Sequence, residues 1–238
     1  MSQCGQAALF FHYLCRMKTA DDTSRLLGMI EQGEHDMQDF KFEISDACKI
    51  ARSISAFANT RGGCLLIGVK DNGKVAGVRS DEEIYMIEAA AQVYCTPSPS
   101  LTMETVTACG RKVVIATIEK SDNVPVYAIS EGKKRLAYVR IADENILASV
   151  VRLAVWRQER SSVGATVHFS GAEKKMLDML GTGEPLSLNA CVRAAGVSRS
   201  AGANILARFI RFGLAEEVLE GHKFFYRCRQ VLPDGAVD

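Results

Sequence analysis

The sequence predicts an α+β fold with a mainly antiparallel sheet, followed by a small C-terminal domain of short helices and a closing hairpin. Three observations carry that expectation. β-type runs are joined by tight turns and interrupted by amphipathic helical stretches, without the regular strand–helix alternation of a doubly wound sheet. Asn72-Gly73 and Cys109-Gly110 each sit between apolar runs, where hairpin turns belong. Ser170, Ser187 and Ser198 follow in close succession, each ahead of a short helical segment.

Residues 1–20 read as a flexible N-terminal extension. Ala7 to Cys15 is apolar but short, contains His12 and has no basic residue before it, so it matches a signal peptide poorly. Met17 is a candidate initiator.

The first domain is expected over residues 21–160. It opens with a helix-prone stretch from Ser24 to Glu31. Ser45-Asp46 then caps a helix in which Ala47, Ile50, Ala51, Ile54, Phe57 and Ala58 recur at steps of three and four. Gly62-Gly63 stops it in the manner of a left-handed cap. Cys64 to Val69 is a continuous apolar run, typical of a buried strand. After the Asp71-Asn72-Gly73-Lys74 turn, Val75 to Val78 is expected to return as its hairpin partner. Asp81-Glu82-Glu83 opens a helix whose apolar stripe is Ile84, Ile87, Ala90, Ala91 and Tyr94. Leu101 to Val106 and Arg111 to Ile118 form a second hairpin. Val126 to Ile129 and Arg135 to Ile141 are further strands, and Leu147 to Trp156 is an amphipathic helix.

Residues 161–168 read as a linker, 169–232 as the second domain and 233–238 as a tail. Ser170 and Glu173 form a capping box. Ser187 caps a helix through Ala195, and Ser198 caps a third that ends near Phe212 before Gly213. Leu214 to Leu219 and Lys223 to Cys228 close the domain as a hairpin. Three short helices and a hairpin in this order constitute the winged helix-turn-helix pattern.

On the third helix, Ala201, Ile205, Phe209 and Phe212 share one side. Ser200, Ala203, Asn204, Ala207 and Arg211 occupy the other, flanked by Arg208, and no acid occurs between Cys191 and Ala215. Small residues permit close approach to a major groove, Asn can pair with adenine, and Arg with guanine or phosphate. The candidate contacts are therefore Ser198, Arg199, Ser200, Asn204, Arg208 and Arg211. Lys223, Tyr226, Arg227 and Arg229 are added from in or near the hairpin. An ordinary solvated face in a protein-contact module is the alternative reading.

Composition narrows the function. The 238 residues are 47% hydrophobic and 24% charged, which excludes a disordered or collagen-like chain. No apolar run approaches the ~20 residues needed to span a bilayer, so no membrane partner is expected. With 29 Lys+Arg against 28 Asp+Glu, bulk charge cannot coat a polyanion. Any nucleic-acid site must be a local patch. The eight cysteines are scattered without metal-ligand spacing and fit free thiols in a reducing cytoplasm.

Asp39-Phe40-Lys41, the run Ile54-Ser55-Ala56-Phe57-Ala58-Asn59-Thr60-Arg61-Gly62-Gly63 and the run Leu66-Ile67-Gly68-Val69-Lys70-Asp71-Asn72-Gly73 together resemble the Schlafen AlbA-like domain, from about Glu31 to Arg157. The resemblance implies nucleic-acid binding by this block and agrees with a C-terminal winged helix. Read without the family, Asn59 to Gly63 is a helix-to-strand turn with exposed backbone. Asn59, Arg61, Lys70 and Lys74 are candidates to bracket a phosphate backbone; alternatively, the glycines end the helix and Asn59 ties down the turn.

Nuclease members of that family use three carboxylates, which map by resemblance to Glu34, Asp39 and Asp71 and would hold Mg²⁺ or Mn²⁺. Asp39 is shorter than the family's Glu, and Asp71 already suits the first position of an Asn-Gly turn. No G-x-x-x-x-G-K-[ST] string exists, so a P-loop for ATP is not expected, nor is any other cofactor. The leading expectation is a cytoplasmic nucleic-acid-binding protein, DNA favoured, acting as a transcriptional regulator and pairing as a homodimer on two half-sites. A metal-dependent nuclease is second, and a protein-interaction scaffold third.

Overall fold

The computed structural model describes residues 21–161 and 169–229, so the expected extension, most of the linker and the tail lie outside the described residues. The chain divides into two compact units, Met1–Leu147 and Ala148–Asp238.

In the first unit, helix α1 (21–32) precedes β1 (Gln38–Lys41), α2 (Ala47–Ala58), β2 (Gly63–Ile67), α3 (Asp81–Gln92) and β3 (Cys95–Thr96). Then follow β4 (Leu101–Ala108), β5 (Arg111–Ile118), β6 (Tyr127–Ile129), β7 (Arg135–Ile141) and β8 (Glu144–Leu147). One four-stranded sheet has the order β1-β2-β5-β4, with β1 and β2 parallel and the rest antiparallel. The other, β3-β6-β7-β8, is antiparallel throughout. The result is a mixed α+β fold rich in antiparallel sheet.

Asp46 caps α2 by accepting the Cys48 N–H at 2.8 Å. The helix ends at Asn59, and the chain reverses at Gly62, whose φ of +78° suits glycine. At Gly63 a Cβ would lie 2.5 Å from the Phe57 ring and 2.6 Å from the Met37 carbonyl. Only glycine lets β2 pass so close under α2.

The apolar run Cys64 to Ile67 is explained by burial on both faces of the sheet. Leu65 and Ile67 pack into the core with Ile54 and Phe57 of α2. Leu66 packs on the opposite face with Phe40, Ile115 and Leu26 of α1.

The expected hairpin after β2 forms only as a turn. Gly73 N–H donates to the Lys70 carbonyl at 2.7 Å, and Lys74 N–H donates to Asn72 Oδ1 at 3.1 Å. Beyond one bridge, Val69 to Val75, residues 75–78 build no ladder. Both edges of β2 are already taken, by β1 and by β5. The returning segment crosses instead of pairing. Ala76 and Gly77 N–H groups both donate to the Gly68 carbonyl at 2.8 Å, and Val78 N–H bonds the Lys112 carbonyl of β5.

The second unit contains α4 (Val150–Glu159), α5 (Gly171–Leu180), β9 (Leu186–Ser187), α6 (Leu188–Ala195), α7 (Arg199–Arg211), β10 (Ala215–Glu220) and β11 (Lys223–Cys228). Its three strands form an antiparallel sheet in the order β10-β11-β9. Ser170 and Glu173 make the full capping box, and Ser187 and Ser198 cap α6 and α7. Helix α4, which the sequence reading assigned to the first domain, groups here. Val151, Ala154 and Val155 share a core with Met176, Cys191, Leu206 and Phe209.

Candidate nucleic-acid interface

The turn after β2 builds a groove of about 350 Å³, lined by Phe42, Lys70, Lys74, Arg79, Arg111 and residues 75–77. Each cation arrives for a local reason. Lys70 and Lys74 flank the Asn-Gly turn, and their backbones bond each other at 3.1 Å. Arg79 follows the crossing segment. Arg111 opens β5 and donates from Nη1 to the Ala76 carbonyl at 2.6 Å. The Phe42 ring lies beneath Lys70 Nζ at 4.7 Å and the Arg79 guanidinium at 5.2 Å, which holds both cations by cation–π attraction. None of the lining residues is acidic. Glu43 sits outside the lining and pairs with Arg79 at 2.7 Å.

Lys70 and Lys74 were visible in the sequence; Phe42, Arg79 and Arg111 were missed. They lie far apart along the chain and meet because residues 75–78 run onto β5, a pairing with no local sequence signal.

Arg61 does not join this cluster. It stands before the other end of β2, a strand about 13 Å long at ~3.3 Å per residue, and pairs with Asp36 at 2.7 Å. Asn59 is corrected outright as a binding residue. It is 7% exposed, and its amide donates to the Val126 and Tyr138 carbonyls, both at 2.9 Å. Its Oδ1 accepts the Val126 N–H at 2.7 Å. Asn59 ties the end of α2 to the second sheet.

Of the three carboxylates Glu34 and Asp39 meet, but with Asp71 they do not form a cluster of three. Asp39 is buried, 2.7 Å from Lys41 Nζ and 3.6 Å from the guanidinium of Arg140. Glu34 accepts the Phe40 N–H at 2.9 Å. Partial burial and a hydrogen bond shared with Asp39 raise its pKa above the ordinary carboxylate range. Asp71 is exposed at the turn beyond β2. Among the described residues no three of His, Cys, Asp and Glu stand together as a metal site. An acceptor already matched to two cations is a poor ligand for Mg²⁺ or Mn²⁺. The residues present therefore do not fit the metal, and no hydrolytic step follows from them.

In the second unit, the small-residue face of α7 is turned inward. Ala203 and Ala207 are buried against α4, and the Asn204 carbonyl accepts from Gln158 Nε2 at 3.0 Å. Small side chains one turn apart make a shallow seat for a neighbouring helix as readily as for a DNA groove. Arg208 is held by Glu173, the capping-box carboxylate, and Arg211 is half-buried. Tyr226 is buried in the core, and Arg227 pairs with Glu216 at 2.6 Å. Ser198, Arg199, Ser200 and Lys223 remain exposed, with Ser198 capping α7 and Arg199 bonded to Asn189 Oδ1. Among the described residues no helix is long and apolar enough to cross a membrane.

Residues 34–149 match the family model Schlafen, AlbA_2, a stretch that covers most of the first unit and all the groove's lining. Among solved structures, the chain is similar to the DIP2311 protein from Corynebacterium diphtheriae, at 17% identity and a TM-score of 0.43, covering 69% of this chain. It spans only 38% of that protein's length. It is also similar to the N-terminal domain of a protein from Nitrosomonas europaea described as related to the ATP-dependent DNA helicase RecG. That likeness has 19% identity and a TM-score of 0.37, covering 63% of this chain and 98% of the other. No curated protein matches the chain.

Proposed function

We propose that this chain binds nucleic acid, and that its Schlafen AlbA_2 domain takes a phosphate backbone into the groove of Lys70, Lys74, Arg79 and Arg111. The observation that carries the reading is charge concentration: four cations line one acid-free groove in a protein of net charge +1. Such a patch attracts polyanions, while the near-neutral remainder of the surface does not.

The finer reading is a DNA-binding transcriptional regulator. The order α5-β9-α6-α7-β10-β11 and the sheet order β10-β11-β9 support a winged helix as the second unit. Its contacts in this reading are Ser198, Arg199 and Ser200 at the first turn of α7, with Lys223 at the hairpin turn. Arg208 serves the fold through Glu173.

Fluorescence anisotropy with labelled duplex DNA, single-stranded DNA and RNA of one sequence tests the groove. Lys74→Glu and Arg111→Glu each place an acid in an exposed or rim position and are expected to weaken binding about tenfold, the effect of roughly 1.4 kcal/mol. Wild-type affinity in both variants overturns the proposal. Preference for the duplex supports the regulator reading over an RNA-directed one.

A further inference from the structure

A second recess lies wholly within the second unit, between α4 and α7, with a volume of about 360 Å³. Its walls are Val150 and Ala154 of α4 and Ala203 of α7, spaced so that small side chains leave a trough between the helices. At its rim stand Arg157, in the last turn of α4, and Arg199 with Ser200, in the first turn of α7. No acid lines it. Arg199 is bonded to the neutral amide of Asn189, and neither guanidinium forms an ion pair with a carboxylate among the described residues. The nucleic-acid reading makes no use of Val150, Ala154 or Arg157.

We infer that this recess is a binding site for a small organic carboxylate with an apolar body, its carboxylate held between Arg157 and Arg199 and its body on Val150, Ala154 and Ala203. The chemistry selects this class. The volume falls within the range of small-molecule sites, which are apolar hollows with a few placed polar groups. The apolar walls disfavour inorganic phosphate, which would leave them wet. The two guanidiniums, paired with no carboxylate among the described residues, disfavour a neutral hydrocarbon and match a carboxylate by charge-assisted hydrogen bonds. The first turn of α7 carries the positive end of the helix dipole, which adds to the same preference. An occupant would touch both α4 and α7 and tighten their packing. The site is independent of whether the first unit binds nucleic acid.

Isothermal titration calorimetry of the full chain with 2-naphthoate, and with its neutral amide as control, tests the assignment. Saturable binding of the acid at millimolar or lower concentration is expected, with the amide about tenfold weaker. Arg157→Gln changes an exposed side chain at a helix end and is expected to reduce naphthoate affinity about tenfold while leaving the circular dichroism spectrum unchanged. Ser200→Phe, also at an exposed position, is expected to block the recess. Equal binding of acid and amide, unchanged affinity in Arg157→Gln, or no saturable binding of naphthoate overturns the assignment.

Discussion

Truncating Asn59 to alanine would strand the Val126 N–H and take one donor each from the Tyr138 carbonyl and the Val126 carbonyl, which keeps the Ser55 hydroxyl at 2.7 Å. The stranded N–H is desolvated and two further hydrogen bonds are lost, so Asn59→Ala is expected to cost about 3 kcal/mol of stability, read from urea midpoints. Nucleic-acid affinity of the folded fraction should not change. Glu34 supplies a second test at this scale. Its raised pKa means the folded chain holds that proton more tightly than the unfolded chain. The stability linked to that proton is therefore present at acid pH, below the ordinary carboxylate range. It is lost as pH rises through the raised value. Glu34→Gln should flatten that fall in a series of denaturation curves across weakly acidic pH. For Asn59 the sequence left open a binding role and a role in tying down the turn, and for Glu34 it offered only the carboxylate trio; the partners of both were out of its reach. The groups that satisfy them lie on strands distant in sequence, and spacing alone cannot report a non-local hydrogen bond.

Elements were legible wherever the signal was local. Asp46, Ser170, Ser187 and Ser198 cap the helices they were expected to cap, and the β4–β5 hairpin turns at Cys109-Gly110 as expected. Strands β3, β8 and β9 have two to four residues and went unread, because a strand that short is defined by its partner. The same limit applied to residues 75–78, where β2 had no free edge to offer. Helix α7 is the most instructive case. Ala203 and Ala207 fit a groove reader and a packed helix equally well, and only the presence of α4 decides between them. Ala207→Leu discriminates the two. Buried against α4, the added bulk should cost about 1–3 kcal/mol in thermal or urea unfolding. A solvent-facing residue on a recognition helix would show almost no change.

Across the whole molecule, a near-balance of charge conceals local concentration. The sequence excluded bulk attraction to polyanions and pointed to Lys70 and Lys74, but it could not bring Arg79, Arg111 and Phe42 to the same place. That required the crossing at Gly68 and Gly77, where a Cβ on Gly68 would meet the Gly77 backbone at 2.8 Å. The boundary between the units falls after Leu147, with α4 joining the second unit because its apolar face serves that core. The salt dependence of nucleic-acid affinity tests the phosphate groove most directly. Each phosphate contact contributes roughly 0.9 to the slope of log affinity against log salt on duplex DNA. Replacing both Lys70 and Lys74 with alanine should flatten that slope by about two units. A double variant whose slope matches that of the unaltered protein would contradict the account.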